Sequence, residues 1–297
     1  MTQIVASLAA LPRRYGALFC DLWGCLHNGV APFPAAVAAL QAFRAGGGRV
    51  ILLTNAPRPK SSVVKQLERL GVPRDCWDDI ATSGDAAQAA LFSGAVGDRV
   101  FHIGPPKDNA FFTDIADDLG VSPDALARIT RVPLDQAQGI VCTGPFDDLT
   151  ETPDDYRARF LMAKTMGLKL LCANPDLVVD LGEQRLYCAG ALAALYEEMG
   201  GTSLYYGKPH PPVYDLARNR LARLDPTLTD ADILCVGDGI GTDVQGALAE
   251  GLDSLFITGG LSAAEFGPDT NNPDPALLHA WIARDGRDAT WSMGHLR

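Results

Sequence analysis

The sequence predicts an α/β protein built on a largely parallel β-sheet. Short apolar runs alternate along the whole chain with longer segments of helical periodicity. Several of these runs are apolar without interruption, which is typical of parallel strands covered on both faces. The alternation therefore predicts right-handed crossovers, with helices packed on the sheet.

The predicted strands are short apolar runs, most of which end in a polar residue or a glycine. They are ALFCDL (17–22), RVILLTN (49–55), RVFHIG (99–104), GIVCTG (139–144), LKLLCAN (168–174), SLYYG (203–207), DILCVGD (232–238) and DSLFITG (253–259). The predicted helices are PAAVAALQAFRAGGG, KSSVVKQLERLG, DDYRARFLMAKTMG, PPVYDLARNRLARL and TDVQGALAEG. Two polar stretches, 145–155 and 267–275, are predicted to be surface loops.

The composition indicates a globular protein and limits its partners. Of the 297 residues, 47% are hydrophobic and 21% are charged, so a packed core is expected. The formal net charge of −11 argues against nucleic-acid binding, which needs clustered Lys and Arg. No apolar stretch approaches the roughly 18 residues of a membrane span.

The cysteines and the N-terminal pattern bear on the compartment. The chain has seven cysteines and no CxxC pair, and four of the seven lie in apolar, strand-like runs. Buried thiols are therefore expected rather than a zinc site or a disulfide framework. The N-terminus lacks the charged and then apolar pattern of a secretory signal, so the expected location is the cytoplasm.

Four segments place polar residues at or just after the end of a predicted strand. They contain Asp21, the pair Thr54 and Asn55, Lys208, and the pair Asp238 and Asp243. Carboxyl ends of adjacent parallel strands form the binding crevice of an open sheet, so neighbouring strands would unite these side chains in one site. Carboxylates and a main-chain oxygen suit Mg²⁺, while Thr, Asn and Lys donate to phosphoryl oxygens. A carboxylate nucleophile can form an aspartyl-phosphate, which splits a hydrolysis into two steps.

The order of these motifs resembles the haloacid dehalogenase (HAD) superfamily, and within it the class IIA branch of NagD-like sugar and nucleotide phosphatases. The resemblance rests on D…G…L, then TN, then GKP, then GD…D, together with GKPHPP and NPD (174–176). It extends over nearly the whole chain. It implies a HAD-type Rossmann-like parallel sheet core in residues 1–95 plus 203–297, and an inserted α/β C2-type cap domain in residues 96–202. A homodimer formed through the cap is an expectation from the resemblance alone.

The resemblance also implies a role for each motif. Asp21 corresponds to the nucleophile, Thr54 and Asn55 to the phosphate-binding second motif, and Lys208 to the lysine of the third motif. The substrate implied is a small phosphorylated metabolite, whose identity would be set by the cap.

The metal implied by the resemblance is Mg²⁺. Its ligands would be Asp21, the main-chain oxygen of Trp23 and Asp238, with Asp243 in the outer shell or acting through water.

Trp23 departs from the usual first motif, which has a second aspartate at this position. That aspartate protonates the leaving oxygen and then deprotonates the attacking water, and an indole N–H can do neither. General acid–base catalysis typically contributes about 10²–10⁴-fold, so the replacement bears on reaction type. His27, close to Asp21, is the candidate acid or base. His210 follows Lys208 and is a candidate for the same role and for substrate binding.

Three functions remain open after this departure. The favoured one is a Mg²⁺-dependent hydrolase of small phosphate monoesters, of sugar phosphate or nucleotide type, with another proton donor or with good leaving groups. The second is hydrolysis of a C–P or C–halogen bond, for which dehalogenation ranks low because the phosphate-binding motifs are present. The third is a non-hydrolytic binder or sensor of a phosphorylated metabolite.

Overall fold

The computed structural model describes residues 2–181 and 184–297 of the chain. Residue 1 and residues 182–183, which fall inside the predicted core and the predicted cap, lie outside the described residues.

The chain divides into two compact units, each described here by itself. Unit 1 comprises residues 1–54, 66–81 and 214–297, and unit 2 comprises residues 55–65 and 82–213. These limits differ from the predicted division at residues 96 and 202, mainly because residues 82–95 and 203–213 fall in unit 2. The predicted domain limits stay a prediction.

The strands in the described residues, in chain order, are β1 (Gln3–Ile4), β2 (Ala17–Cys20), β3 (Arg49–Thr54), β4 (Asp79–Thr82), β5 (Arg99–Ile103), β6 (Thr130–Arg131), β7 (Gly139–Cys142), β8 (Lys169–Cys172), β9 (Val178–Leu181), β10 (Gln184–Tyr187), β11 (Thr202–Tyr205), β12 (Ile233–Gly237), β13 (Asp253–Ile257) and β14 (Trp291–Met293). Each strand predicted from the sequence corresponds to one of these, so those predictions are confirmed. The short strands β1, β4, β6, β9, β10 and β14 were not predicted.

The α-helices in the described residues are α1 (Pro34–Ala45), α2 (Lys60–Leu70), α3 (Ser83–Phe92), α4 (Pro123–Arg128), α5 (Arg157–Thr165), α6 (Ala189–Glu198), α7 (Pro211–Leu224), α8 (Gln245–Ala249) and α9 (Pro275–Asp285). A π-helical turn, Ile240–Val244, leads into α8. None of the described helices has the length and apolar character that crossing a membrane requires.

Unit 1 contains a seven-stranded sheet with the order β1-β14-β13-β12-β2-β3-β4. From β1 to β3 in this order, every neighbouring pair is parallel. Cys20 of β2 lies beside Val236 of β12 on one side and beside Leu52 of β3 on the other. The chain therefore leaves β2, β3 and β12 at the same edge of the sheet, as the sequence predicted for these three strands.

Unit 2 contains a parallel sheet with the order β11-β8-β7-β5-β6, and an antiparallel hairpin of β9 and β10. The strand before Lys208, β11, pairs with β8 in this second sheet. It is therefore not a neighbour of β2, so the four polar segments do not all follow strands of one sheet. The chain leaves β8, passes through α6 and returns as β11 beside β8, which keeps β11 in the second sheet.

The burial of the strands agrees with the sequence patterns. Ala17, Leu18, Phe19 and Cys20 of β2 are each at most 1% exposed, as expected for a central parallel strand. In the described part of the chain all seven cysteines are buried thiols outside any disulfide, which confirms that prediction.

Candidate active site

Asp21 opens a tight turn directly after β2. Its backbone N–H donates to Val236 O of β12 at 2.8 Å, which holds it at the carboxyl edge of the sheet. The turn is closed by the N–H groups of Leu26 and His27, which both donate to Leu22 O, at 2.8 and 3.0 Å. Asp21 is buried, with 8% of the residue exposed.

Asp238 follows β12, and its carboxylate lies between two glycines. A Cβ atom at Gly24 would lie 1.9 Å from Asp238 Oδ2, and one at Gly260 would lie 2.1 Å from the same oxygen. Leu261 N–H donates to this oxygen at 2.8 Å. Gly24 also has a φ of +71°, in the left-handed region that favours glycine. The carboxylate is thus fixed by two α-carbons that tolerate no side chain.

Asp21, Cys25 and Asp238 form a group of potential metal ligands. One carboxylate oxygen of each aspartate and the Sγ atom of Cys25 all lie within 4.8 Å of one another. Two carboxylates this close are stabilised by a cation between them, and oxygen ligands suit a hard divalent cation. The residues present therefore fit the Mg²⁺ expected from the motifs.

Cys25 contributes a buried thiol to this group. Cys25 is 1% exposed. Burial, and after it the negative charges of Asp238 and Asp21, raise the pKa of its thiol well above the usual value. Without a bound metal the thiol of Cys25 is therefore protonated at neutral pH.

Asp243 and Thr54 lie at the same edge of the sheet in unit 1. Asp243 is 6% exposed, and its Oδ2 accepts hydrogen bonds from Gly239 N–H at 3.1 Å and from Thr242 Oγ1 at 3.3 Å. Asp243 therefore stabilises the loop that carries Asp238. Thr54, 2% exposed, is the last residue of β3, the strand beside β2.

His27 is fully buried and packs edge to face against Trp23, with ring centroids 5.1 Å apart. Its Nδ1 accepts a hydrogen bond from Gly29 N–H at 3.0 Å, so the ring proton is on Nε2. Burial lowers the pKa of His27 to about 4, which keeps the ring neutral at pH 7. A neutral imidazole is a poor proton donor. The acid–base role of His27 stays a prediction, and this pKa counts against the acid half of it.

In unit 2, hydrogen bonds join the second and third motifs. Asn55 Nδ2 donates to Asp176 Oδ1 at 2.8 Å and to Lys208 O at 3.1 Å, while Asn55 Oδ1 accepts from Lys208 N–H at 2.7 Å. An amide has two N–H donors, and both are used here. The Asn55 side chain therefore connects the NPD and GKP segments, which leaves it no N–H to offer a phosphate.

Lys208 and His210 complete the described group in unit 2. Lys208 is 2% exposed, although it carries an ammonium group. The ring of His210 stacks on Tyr205 at 4.9 Å with an interplanar angle of 9°, and burial lowers its pKa. The predicted role of His210 in substrate binding stays a prediction.

The predicted site residues thus form one group in each unit. Sequence reasoning identified Asp21 and Asp238 but missed Cys25, Gly260 and Asp176. Gly24 and Asp176 stood in motifs that were recognised, so a signal for them existed. The contact of Gly260 with Asp238 depends on packing between distant segments, and no sequence signal indicated it.

Two acidic residues that follow adjacent parallel strands, with carboxylate oxygens close enough to share a divalent cation, are typical of the ligand-binding edge of an α/β protein. Comparison with known proteins then identifies the family. Residues 18–120 match the family described as haloacid dehalogenase-like hydrolase, a NagD-like class IIA domain, and residues 205–279 match the HAD-hydrolase-like family. A crystal structure of a haloacid dehalogenase-like hydrolase from Brucella suis 1330 is 38% identical, with a TM-score of 0.84 over 99% of this chain and 100% of that chain. This chain belongs to the haloacid dehalogenase-like hydrolase family, as its motifs predicted.

Two further relatives carry phosphatase names. The D-glycerol 3-phosphate phosphatase of Mycobacterium tuberculosis is 29% identical over 283 residues, which is 94% of this chain and 72% of that protein. A crystal structure of glycerol phosphate phosphatase from Mycobacterium tuberculosis in complex with calcium is 25% identical, with a TM-score of 0.65 over 95% of this chain and 74% of that chain. The predicted fold class, a HAD-type core with a cap, is confirmed.

Proposed function

We propose that this chain is a Mg²⁺-dependent phosphatase that hydrolyses small phosphate monoesters, of sugar phosphate or nucleotide type, through an aspartyl-phosphate on Asp21. The observation that carries the proposal is the pair of Asp21 and Asp238 carboxylates within 4.8 Å of each other at the edge of a parallel sheet. The family is a hydrolase family, and a relative spanning 94% of this chain acts, by its name, on D-glycerol 3-phosphate.

The metal ligands we assign are Asp21, Asp238 and the main-chain oxygen of Trp23, with Asp243 in the outer shell. When bound, the cation supplies positive charge that offsets the charges of the carboxylates and of the phosphate. Calcium in a solved relative supports a divalent cation, and we assign Mg²⁺ because it prefers oxygen ligands and retains water.

Asp21 acts as the nucleophile. One of its oxygens forms a bond to phosphorus while the bond between phosphorus and the ester oxygen breaks. Water then attacks the aspartyl-phosphate, its proton passes to solvent, and inorganic phosphate leaves as the Asp21 carboxylate is restored. From their correspondence to the second and third motifs, we assign Thr54 and Lys208 as donors to the phosphoryl oxygens. Within unit 2, two hydrogen bonds from the Asn55 side chain hold the backbone of Lys208.

The leaving oxygen takes its proton from water. Trp23 has no titratable proton, and His27 is neutral with its pKa lowered to about 4. Esters with acidic leaving groups are therefore expected to react much faster than alkyl esters. A steep dependence of kcat on the leaving-group pKa, measured with a series of aryl phosphates, supports this assignment, whereas a flat dependence contradicts it.

The test of the function is Mg²⁺-dependent release of phosphate from a panel of sugar phosphates, nucleoside monophosphates and aryl phosphates. Asp21→Asn should abolish turnover. The matched control is Asp253→Asn, because Asp253 begins β13 at the opposite edge of the same sheet and pairs with Arg14. Equal turnover by the Asp21 variant and the parent would overturn the nucleophile.

The missing acid at position 23 also favours a second candidate, a binder of a phosphorylated metabolite without turnover. Trapping with beryllofluoride in the presence of Mg²⁺ separates the two functions. A trapped complex together with turnover supports the phosphatase, and phosphate binding without turnover supports the binder.

A further inference from the structure

Cys25 places a sulfur atom where the proposed oxygen ligands of the metal converge. Its Sγ lies within 4.8 Å of carboxylate oxygens of both Asp21 and Asp238, and the residue is 1% exposed. Among residues 2–181 and 184–297, no hydrogen bond to the Cys25 thiol is found. The side chain is thus a buried, unpartnered metal-ligating group directed at two carboxylates.

This set of atoms suits two kinds of cation differently. Mg²⁺ takes oxygen ligands and ignores sulfur, so Cys25 is only a neighbour when Mg²⁺ is bound. Zn²⁺, Co²⁺ and Cd²⁺ bind sulfur and carboxylate oxygen together, and they accept four ligands in a compact arrangement. Two carboxylate oxygens and one sulfur already provide three ligands of such an arrangement.

We propose that Asp21, Cys25 and Asp238 form a binding site for thiophilic divalent cations that competes with Mg²⁺ at the same position. When such a cation binds, a bond forms between the metal and Cys25 Sγ and the thiol proton is released to solvent. Because this cation takes the position assigned to Mg²⁺, the loaded protein lacks the metal of the proposed reaction and is an inhibited form. The proposal rests on the metal site of the proposed function, but its primary readout does not need turnover.

The test uses Co²⁺ as a spectroscopic probe of the full-length protein. Cobalt bound to a thiolate shows a sulfur-to-metal charge-transfer band in the near ultraviolet, and cobalt bound to oxygen alone does not. The parent protein should show this band, and excess Mg²⁺ should remove it. Cys25→Ser should lose the band and bind Co²⁺ at least about tenfold more weakly. Tenfold is the lower end of the loss of metal affinity seen when residues that support a metal site are replaced.

The matched control is Cys76→Ser, because Cys76 is also fully buried in unit 1 but lies outside the group. This variant should keep the band. Asp238→Asn provides a second route if Cys25→Ser folds poorly, since it should weaken the band while leaving Cys25 in place. Cobalt binding without the band in the parent, or a band that survives in Cys25→Ser, overturns the proposal.

The two proposals fail in different ways. If no phosphate ester is hydrolysed but the Cys25-dependent band appears, the function is wrong and the thiophilic site stands. If hydrolysis requires Mg²⁺ but the band is absent, the function stands and the thiophilic site is wrong.

Discussion

Replacement of Gly24 by alanine tests how closely the first motif is packed against Asp238. The new Cβ atom would lie 1.9 Å from Asp238 Oδ2, whereas ordinary contact begins at 3.4 Å, so the carboxylate must move by about 1.5 Å. A misplacement of about 1 Å at a catalytic site costs on the order of 10²-fold in rate. We therefore expect kcat/KM to fall by at least that factor and the affinity for Mg²⁺ to fall roughly 10–100-fold.

The backbone of Gly24 adds a separate cost. Its φ of +71° is unfavourable for alanine, which costs roughly 1–2 kcal/mol of folding free energy. Gly251→Ala isolates this term, because Gly251 has a φ of +69° and no neighbouring atom within 4 Å of an added Cβ. Both variants should lose the backbone contribution in equilibrium urea unfolding, and Gly24→Ala should lose more because its Cβ also displaces the Asp238 carboxylate. Only Gly24→Ala should lose Mg²⁺ binding in calorimetric titration. If the two variants bind Mg²⁺ equally well, the geometry argued for Asp238 is wrong.

Three further predictions concern other parts of the molecule. Trp23→Asp should raise kcat for alkyl phosphates by up to about 10²–10⁴-fold, because the new carboxyl group supplies a general acid. The gain should be smaller for aryl phosphates, whose leaving groups need less protonation. An equal gain for both classes would contradict the conclusion that the site lacks a general acid. Asn55→Ala removes three hydrogen bonds and should lower the free energy of unfolding of unit 2 by roughly 2–4 kcal/mol. The control Tyr196→Phe removes only the hydrogen bond from Tyr196 Oη to Leu168 O and should cost about 1 kcal/mol. Equal losses in urea unfolding would refute this prediction. Burial lowers the pKa of His102 from 6.5 to about 4, so as pH falls the unfolded chain binds a proton at this residue before the folded chain does. The free energy of unfolding should therefore decrease, by at most about 3 kcal/mol, between pH 6.5 and pH 4. His102→Gln should flatten this part of the curve of stability against pH.

Much of the fold was predictable because its strands are continuous apolar runs. The helix α3 was missed for a physical reason, since it is buried through small and polar side chains such as Ser83, Gly84 and Gln88. Such a helix has no apolar stripe facing a polar one, so its periodicity carries no signal. The strands β4 (DIAT) and β14 (WSM) were missed because polar residues interrupt both, so neither forms a continuous apolar run.

The site was predictable where one residue's position follows from one strand. Asp21 and Asp238 each follow a central strand, and strand order brings their edges together. The group in unit 2 could not be derived in this way, because the use of both N–H donors of Asn55 depends on Asp176, which is 121 residues away in sequence. The sequence could not predict Cys25 as a potential metal ligand, because that role depends on its distance from Asp238 in the folded chain.

The position of Asp238 between Gly24 and Gly260 has a consequence for how sequence changes can accumulate in this protein. Substitutions at the two glycines are not independent events, because each alters the space available to the same carboxylate oxygen. A larger residue at position 24 could be accommodated only if position 238 became smaller, which would remove the charge at that place. Double variants that combine a substitution at Gly24 with Asp238→Gly should therefore recover folding stability without recovering metal affinity. Sequence changes at these positions can thus preserve the fold while they remove the metal site.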